Sequence, residues 1–349
     1  MSISRPSVFA SVLLGVLPAL LLLGCGQASG PEGAASWATA EEPQALLPEP
    51  MSVEPAPQSE SPVAAAVDCA KPPTARKDLV CWRWRCDRAN LSEGSWSGDL
   101  AACTAGDISA TGRNNALKLV NLYRFLAQMP EVKADASKNA SAQSCALMQH
   151  ANGMLSHSPP TTWKCYATAG AGSASLSNIA SAPGVRAVDL YMADPGSPTN
   201  VGHRRWLLSN SLGPIGLGST LAGTTGYSCL QVIGGTGTAG KSWIAWPPPG
   251  PVPIEMFSAI SSSPLDAIGW TIQSDNINLK GASATVKDGT TVIPFTSTQL
   301  GNNYGSTYAI RFTPTSTSWR AQAGHTYNVT ISGSGFTSIN YSVQPTACP

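Results

Sequence analysis

The chain has 349 residues, room for two domains and extensions, and its 21 basic and 20 acidic residues leave a net charge of +1. No basic run breaks that balance, which excludes the electrostatic footprint of a nucleic-acid binder and of a polybasic membrane patch. Only 12% of residues are charged, while 33 Gly and 28 Pro point to abundant loops and β-structure.

At the N-terminus, Arg5 precedes an apolar run from Val8 to Leu23 that is broken by Ser11, Gly15 and Pro18. The run is too short and interrupted for a membrane span and has the form of a secretory signal. It closes on Leu22-Leu23-Gly24-Cys25, which resembles a bacterial lipobox. The resemblance implies that residues 1–25 are a lipoprotein signal peptide ending at Cys25, whose acylated cysteine becomes the new N-terminus and a membrane anchor. Each buried CH₂ of such a chain adds about 0.8 kcal/mol. The resemblance to outer-membrane lipoproteins further implies a place in the bacterial cell envelope. Residues 26–67 are rich in Pro, Ala, Glu and Ser, with Trp37 an exception, and cannot bury enough surface to offset their ordering entropy. They read as a disordered linker.

Eight cysteines remain beyond Cys25: Cys69, Cys81, Cys86, Cys103, Cys145, Cys165, Cys229 and Cys348. None forms a C-x-x-C pair, and an even number in an exported chain implies up to four disulfides, with the pairing open. Four fall in residues 68–109, which read as a disulfide-rich collar that supplies surface rather than core.

A helical apolar stripe follows, with Ala116, Leu119, Val120, Tyr123 and Ala127 between Arg113 and Gln128, and Pro130 stops it. A second helix starts at the N-cap residue Asp135 and runs to about Met154. His150 and His157 lie seven residues apart, about 10 Å along a helix axis, too far to share one metal ion; His157, at the helix end, is the better site residue. A small-residue loop spans Ala167–Ser177, and a third helix runs near Gly184–Ala193 before the turn Asp194-Pro195-Gly196. Then comes Asn200–Leu208, which holds His203, Arg204, Arg205 and Trp206 in a chain with four histidines. The strand-like runs Tyr227–Ile233 and Ser242–Trp246 close this region. Between them Gly235–Gly240 fits G-x-G-x-x-G, but no helix follows to present its N-terminus to a pyrophosphate, so the stretch reads as a hairpin turn.

From about residue 251 the period shortens to strands every ten or so residues, with clear alternation in Tyr308–Phe312 and Tyr327–Ile331. Residues 251–349 read as an immunoglobulin-like β-sandwich in which His325 is a surface residue.

The central pieces occur in a telling order: Asn121-Leu122-Tyr123-Arg124, a His after the second helix, Ser177-Asn178-Ile179-Ala180, Tyr191-Met192-Ala193-Asp194, Gly202-His203-Arg204 and Ile215-Gly216-Leu217-Gly218. Together they resemble the CAP superfamily (cysteine-rich secretory proteins, antigen 5, pathogenesis-related 1) in its bacterial form, over residues 110–250. The resemblance implies an α+β chain: a CAP-type α-β-α sandwich followed by the immunoglobulin-like domain. It also implies a cleft in which His157 and His203 match the family's two histidines and can hold a divalent metal such as zinc. Asp194 matches one family acid, whereas Ser177 stands where the other would be. Asn178, Arg204 and Trp206 flank the cleft. Three function classes follow: a binding protein for a lipid, glycan or envelope component, which the missing acid favours; a metal-dependent hydrolase of peptide or cell-wall polymer using His157, His203 and Asp194; and a purely structural envelope protein. A serine nucleophile is disfavoured, because no G-x-S-x-G elbow occurs and Ser156 and Ser158 are sequence neighbours of His157.

Overall fold

The computed structural model describes residues 67–348; Cys25, its apolar leader and the linker as far as residue 66 lie outside that range. α1 (Arg76–Asp87) opens it, followed by α2 (Ala110–Leu126), α3 (Ala136–Asn152), α4 (Thr168–Ala174), β1 (Ser177–Ala180), α5 (Gly184–Ala193), α6 (Gly202–Leu207), β2 (Gly216–Ala222) and β3 (Thr225–Gln231). The expected helices form where periodicity and caps place them. The Asp135 carboxylate accepts from the Lys138 N–H at 3.0 Å, and Gly153 ends α3 in the left-handed region at φ 61°.

β1, β3 and β2 form an antiparallel sheet with β3 in the middle. Strand alternation sends Cys229 and Ile179 into one cluster with Ala142, Cys145, Ala146 and Ala174 of α3 and α4. Leu217 and Leu230 point the other way, into the main core with residues of α2 and α5. The result is a helix–sheet–helix sandwich. On the α3 side Gly218 replaces a side chain with bare backbone: a Cβ there would lie 2.1 Å from the Ala142 carbonyl carbon. Only glycine lets α3 settle this close to β2.

Three expectations need correction. The small-residue stretch Ala167–Ser177 is not a loop but contains α4, whose Gly170 would carry a Cβ 2.9 Å from Met148 Cε of α3. Close helix contact, not local propensity, makes it helical. The collar also reaches the core, since Val80 and Trp84 of α1 are buried in the main cluster. Finally, Gly235–Gly240 is not a hairpin turn, because the strands it joins lie in different sheets.

That last point moves a boundary. β4 (Ile244–Trp246), read above as the end of the 110–250 region, belongs to the C-terminal sheets, as does β5 (Gly250–Pro253), which starts at the expected boundary. After α7 (Leu265–Ile268) come β6 (Trp270–Ser274), β7 (Ser283–Asp288), β8 (Thr291–Ile293), β9 (Phe295–Gln299), β10 (Tyr308–Pro314), β11 (Tyr327–Ser332) and β12 (Ile339–Thr346). One sheet runs β4-β6-β10-β9 and the other β5-β12-β11-β7-β8, with β5 parallel to β12 and every other pair antiparallel. Trp270 is wholly buried between them, ringed by Phe257, Phe295, Phe312, Trp319 and Tyr327. The main core runs from α2 and α5 through Trp246 into both sheets without a break.

The eight cysteines pair as Cys69–Cys86, Cys81–Cys348, Cys103–Cys165 and Cys145–Cys229. Only the first lies within the collar. The second joins α1 to the end of β12, and the fourth crosses from α3 to β3. Such complete pairing is the habit of oxidising compartments.

Candidate functional site

The expected site begins at the C-terminal end of α5. Asp194 adopts φ 56°, ψ 49°, a left-handed conformation uncommon outside glycine, which turns the chain sharply and folds its carboxylate back toward α6. There Asp194 Oδ2 accepts from the backbone N–H of His203 at 3.0 Å and, more weakly, of Arg204 at 3.4 Å. Asp194 Oδ1 accepts from His203 Nδ1 at 2.8 Å. One carboxylate therefore caps the start of α6 and orients the ring that α6 carries. It does so with a side chain that has no solvent exposure.

The acceptor settles the proton position. A carboxylate accepts, so Nδ1 of His203 carries the hydrogen of this bond. The same holds at His157, whose Nδ1 donates to the Ala174 carbonyl at 2.9 Å, at the end of α4. The four-residue stretch after Ala174 also holds the other histidine: Asn178 Nδ2 donates to the His203 carbonyl at 3.0 Å. Tyr191 completes the support, its ring 5.4 Å from that of His203 and its hydroxyl donating to the Asn178 carbonyl at 3.1 Å. Burial raises the Tyr191 phenol above its ordinary pKa, a shift that a hydrogen bond with Ser228 reduces. Tyr191 stays neutral and serves as a fixed strut.

Ser177, at the position of the absent acid, is buried, and its hydroxyl donates to the Ser173 carbonyl at 2.7 Å. It closes the turn from α4 into β1. His150 lies elsewhere: its Nδ1 bonds Thr220 Oγ1 at 2.8 Å and its ring stacks on Tyr227. His325 bonds Asp288 on the C-terminal sheets with a side chain 42% exposed.

The trio does not fit a resident zinc centre. Catalytic zinc takes three protein ligands and a water. Asp194 is turned away from that role, because both of its oxygens already accept protons from the residues it positions. Among the described residues no three His, Cys, Asp or Glu side chains gather to hold a metal ion. What the arrangement does offer is two imidazoles, each fixed through Nδ1, with the exposed apolar Met154 and Leu155 shortly before His157 in the chain.

The rest of Asn200–Leu208 has a different role. Arg204 and Arg205 are wholly buried. Arg204 donates to the carbonyls of Met192, Ala193 and Gly269 at 2.7, 3.0 and 2.8 Å. Arg205 donates to those of Asn200, Gly301 and Ser306 at 3.1, 2.6 and 3.0 Å. Each joins the α6 region to the C-terminal sheets or their loops. Burial pulls both guanidiniums down to about 10, still charged at neutral pH. Arg124 of α2 is similar, donating to the carbonyls of Pro130, Leu207 and Ser209 and lowered by burial to about 10. Trp206 packs half-buried against the core. Sequence reasoning missed Arg124 and Arg205; the available signal was an arginine inside an apolar helical stripe in a chain poor in charge.

Residues 117–233 match the family model described as the Cysteine-rich secretory protein family, CAP, and form a CAP domain. No curated protein and no solved structure matches the chain.

Proposed function

With a CAP domain over residues 117–233 as premise, we propose that the protein is an exported, lipid-anchored envelope protein. Its CAP domain binds a lipid, glycan or other envelope component at the His157–His203 face without turning it over. The observation that carries this reading is the commitment of Asp194. A hydrolase of the His157, His203 and Asp194 type needs a carboxylate free to meet water, metal or substrate. Asp194 instead faces inward, and Ser177 supplies no acid in its place. Oriented imidazoles, with exposed apolar Met154 and Leu155 shortly before His157 in the chain, suit a ligand with both polar and apolar parts.

A second reading draws on the 2.8 Å contact between Asp194 and His203, which orients the ring as a carboxylate orients the histidine of a general-base pair. The same experiment separates the two. The chain from residue 26 is incubated with vesicles of phosphatidylethanolamine and phosphatidylglycerol and with insoluble peptidoglycan, and bound protein and soluble products are both measured. The binding reading expects retention on one of these, no product, and reduced retention in His157→Ala and His203→Ala. Product formation lost in His203→Ala would establish the hydrolase instead, and retention unchanged in both variants would remove the site from this face.

The export reading draws on the lipobox-like Leu22–Cys25 and on the four disulfides. Mass spectrometry of the N-terminal peptide tests it, a diacyl or triacyl mass on Cys25 being expected. The immunoglobulin-like reading of the C-terminal sheets draws on their strand order. Taking β4, β6, β7, β8, β9, β10, β11 and β12 as A, B, C, C′, D, E, F and G gives A-B-E-D on one sheet and G-F-C-C′ on the other, with β5 as a second part of A beside G.

A further inference from the structure

Outside the histidine site, side chains of α1 and α2 line an open groove of about 390 Å³, in the size range of small-molecule sites. Its walls are two helical faces. α1 contributes Trp82, Arg83 and Asp87; α2 contributes Asn114, Leu117 and Lys118, at the i, i+3, i+4 spacing of one stripe; Glu131 closes one end. None of these residues belongs to the His157–His203 site.

The lining has a definite chemistry. Trp82 is half-buried, and its Nε1 donates to the Asp68 carbonyl at 2.9 Å, which fixes the plane of the indole. Arg83 is bonded to both Asp87 and Glu131, so the polar wall is already ordered. Two cations and two anions cancel, which leaves no net charge for a phosphate or a metal ion. One Leu and one indole provide too little apolar surface for an acyl chain. What remains is a fixed aromatic face surrounded by alternating donors and acceptors: Arg83, Lys118 and Asn114 donate, while Asp87, Glu131 and the Asn114 carbonyl accept. A pyranose has the complementary character, with one C–H face that lies on an aromatic ring and a rim of hydroxyls that both donate and accept.

We propose that the α1–α2 groove is a second binding site, for a neutral oligosaccharide, with Trp82 as the stacking platform and Arg83, Asp87, Asn114 and Glu131 as hydroxyl partners. The site rests on the collar. Cys69–Cys86 and Cys81–Cys348 both anchor α1, so the platform is held rigidly without any help from the ligand.

The test titrates the full chain, in detergent, with N-acetylchitotetraose and with cellotetraose by calorimetry and tryptophan fluorescence. Saturable binding of at least one is expected, with Kd on the order of 0.1–1 mM. Trp82→Ala should weaken it tenfold or more, and Glu131→Ala or Asn114→Ala severalfold. Glu131 and Asn114 are exposed, so these two variants carry the test if Trp82→Ala fails to fold. His157→Ala and His203→Ala should bind as the parent does. No saturable binding of either sugar, binding unchanged in the groove variants, or binding lost in the histidine variants would each overturn the proposal. The first two outcomes leave the His157–His203 reading intact.

Discussion

Arg204 Nη1 donates to the carbonyl of Gly269 at 2.8 Å, and through that bond the residue next to His203 is fastened to the strand that begins at Trp270. The same guanidinium holds the Met192 and Ala193 carbonyls, just before Asp194. The orientation of the histidine face and the seating of the C-terminal sheets therefore share one side chain.

Arg204→Met should accordingly destabilise the protein by about 3 kcal/mol, because several buried carbonyls lose their donor at once. Arg204→Lys should not restore it, since an ammonium lacks the planar fork that reaches carbonyls on two sides. Urea unfolding followed by fluorescence and by circular dichroism would show it. A loss below about 1 kcal/mol would mean that water replaces the arginine there.

Asp194→Ala should release the His203 ring. In the parent, nitrogen NMR should report a proton on Nδ1 of His203; in the variant the tautomers should mix. Binding at the histidine face should fall about 10–100-fold, as when a partner that orients a functional imidazole is removed. A variant with the parent's tautomer would show that something other than Asp194 sets the ring.

Asp189 is gripped by Arg88 in a bidentate pair at 2.7 and 2.8 Å and accepts from Tyr123 at 2.6 Å. Burial alone would lower the Arg88 pKa, but the hydrogen bond and charge of Asp189 outweigh it and raise the value. Asp189→Ala leaves a largely buried cation and a buried hydroxyl without this partner, and should cost about 3–5 kcal/mol. Thermal unfolding of the parent, Asp189→Ala and Arg88→Met/Asp189→Leu would check it, the double variant recovering part of the loss.

The Asp135 cap gives a pH signature. The Ser137 hydroxyl, and then the Lys138 N–H, hold its carboxyl below the ordinary value. Folding therefore favours the carboxylate. The contribution is complete above the unfolded value near 3.9 and disappears as pH falls through the lower folded value. Asp135→Ala should melt below the parent at neutral pH, and the gap should narrow as the pH falls below the unfolded carboxyl value. A gap that is constant with pH would assign the effect to helix propensity rather than to charge.

Local signals were readable and partnerships at a distance were not. Asp135 and Gly153 mark the ends of α3 with side chains and backbone that act within a few residues. Helix α4 has no such mark: Thr168–Ala174 reads TAGAGSA, and only the close approach of α3 makes it helical. β4 looks like the end of the CAP region because its partner, β6, comes later in the chain. At the site, sequence order brought His203 and Asp194 together but could not give the direction of the carboxylate. That direction separates a metal ligand from a cap, and it follows from a left-handed turn that Asp194 adopts despite its side chain. The burial of Arg204 and Arg205 depends on residues 65 and 96 positions further along the chain.

The bridge between Cys81 and Cys348 has a mechanical consequence. It fastens the end of β12 to α1, and Arg85 and Glu255 add hydrogen bonds to the backbone of Cys348. A pull arriving through residue 67, from the anchor proposed at Cys25, enters at Cys69, passes to Cys86 by the first bridge, and reaches Cys81 within the same helix. From there it divides between the chain leading into the CAP domain and the covalent path to β12. Neither sheet has to be peeled strand by strand, so load would be shared between the two halves rather than borne by the connector at residues 232–243. With Cys81→Ser/Cys348→Ser, stretching by a single-molecule tether should release the C-terminal sheets as a separate event at lower force, where the parent yields as one body.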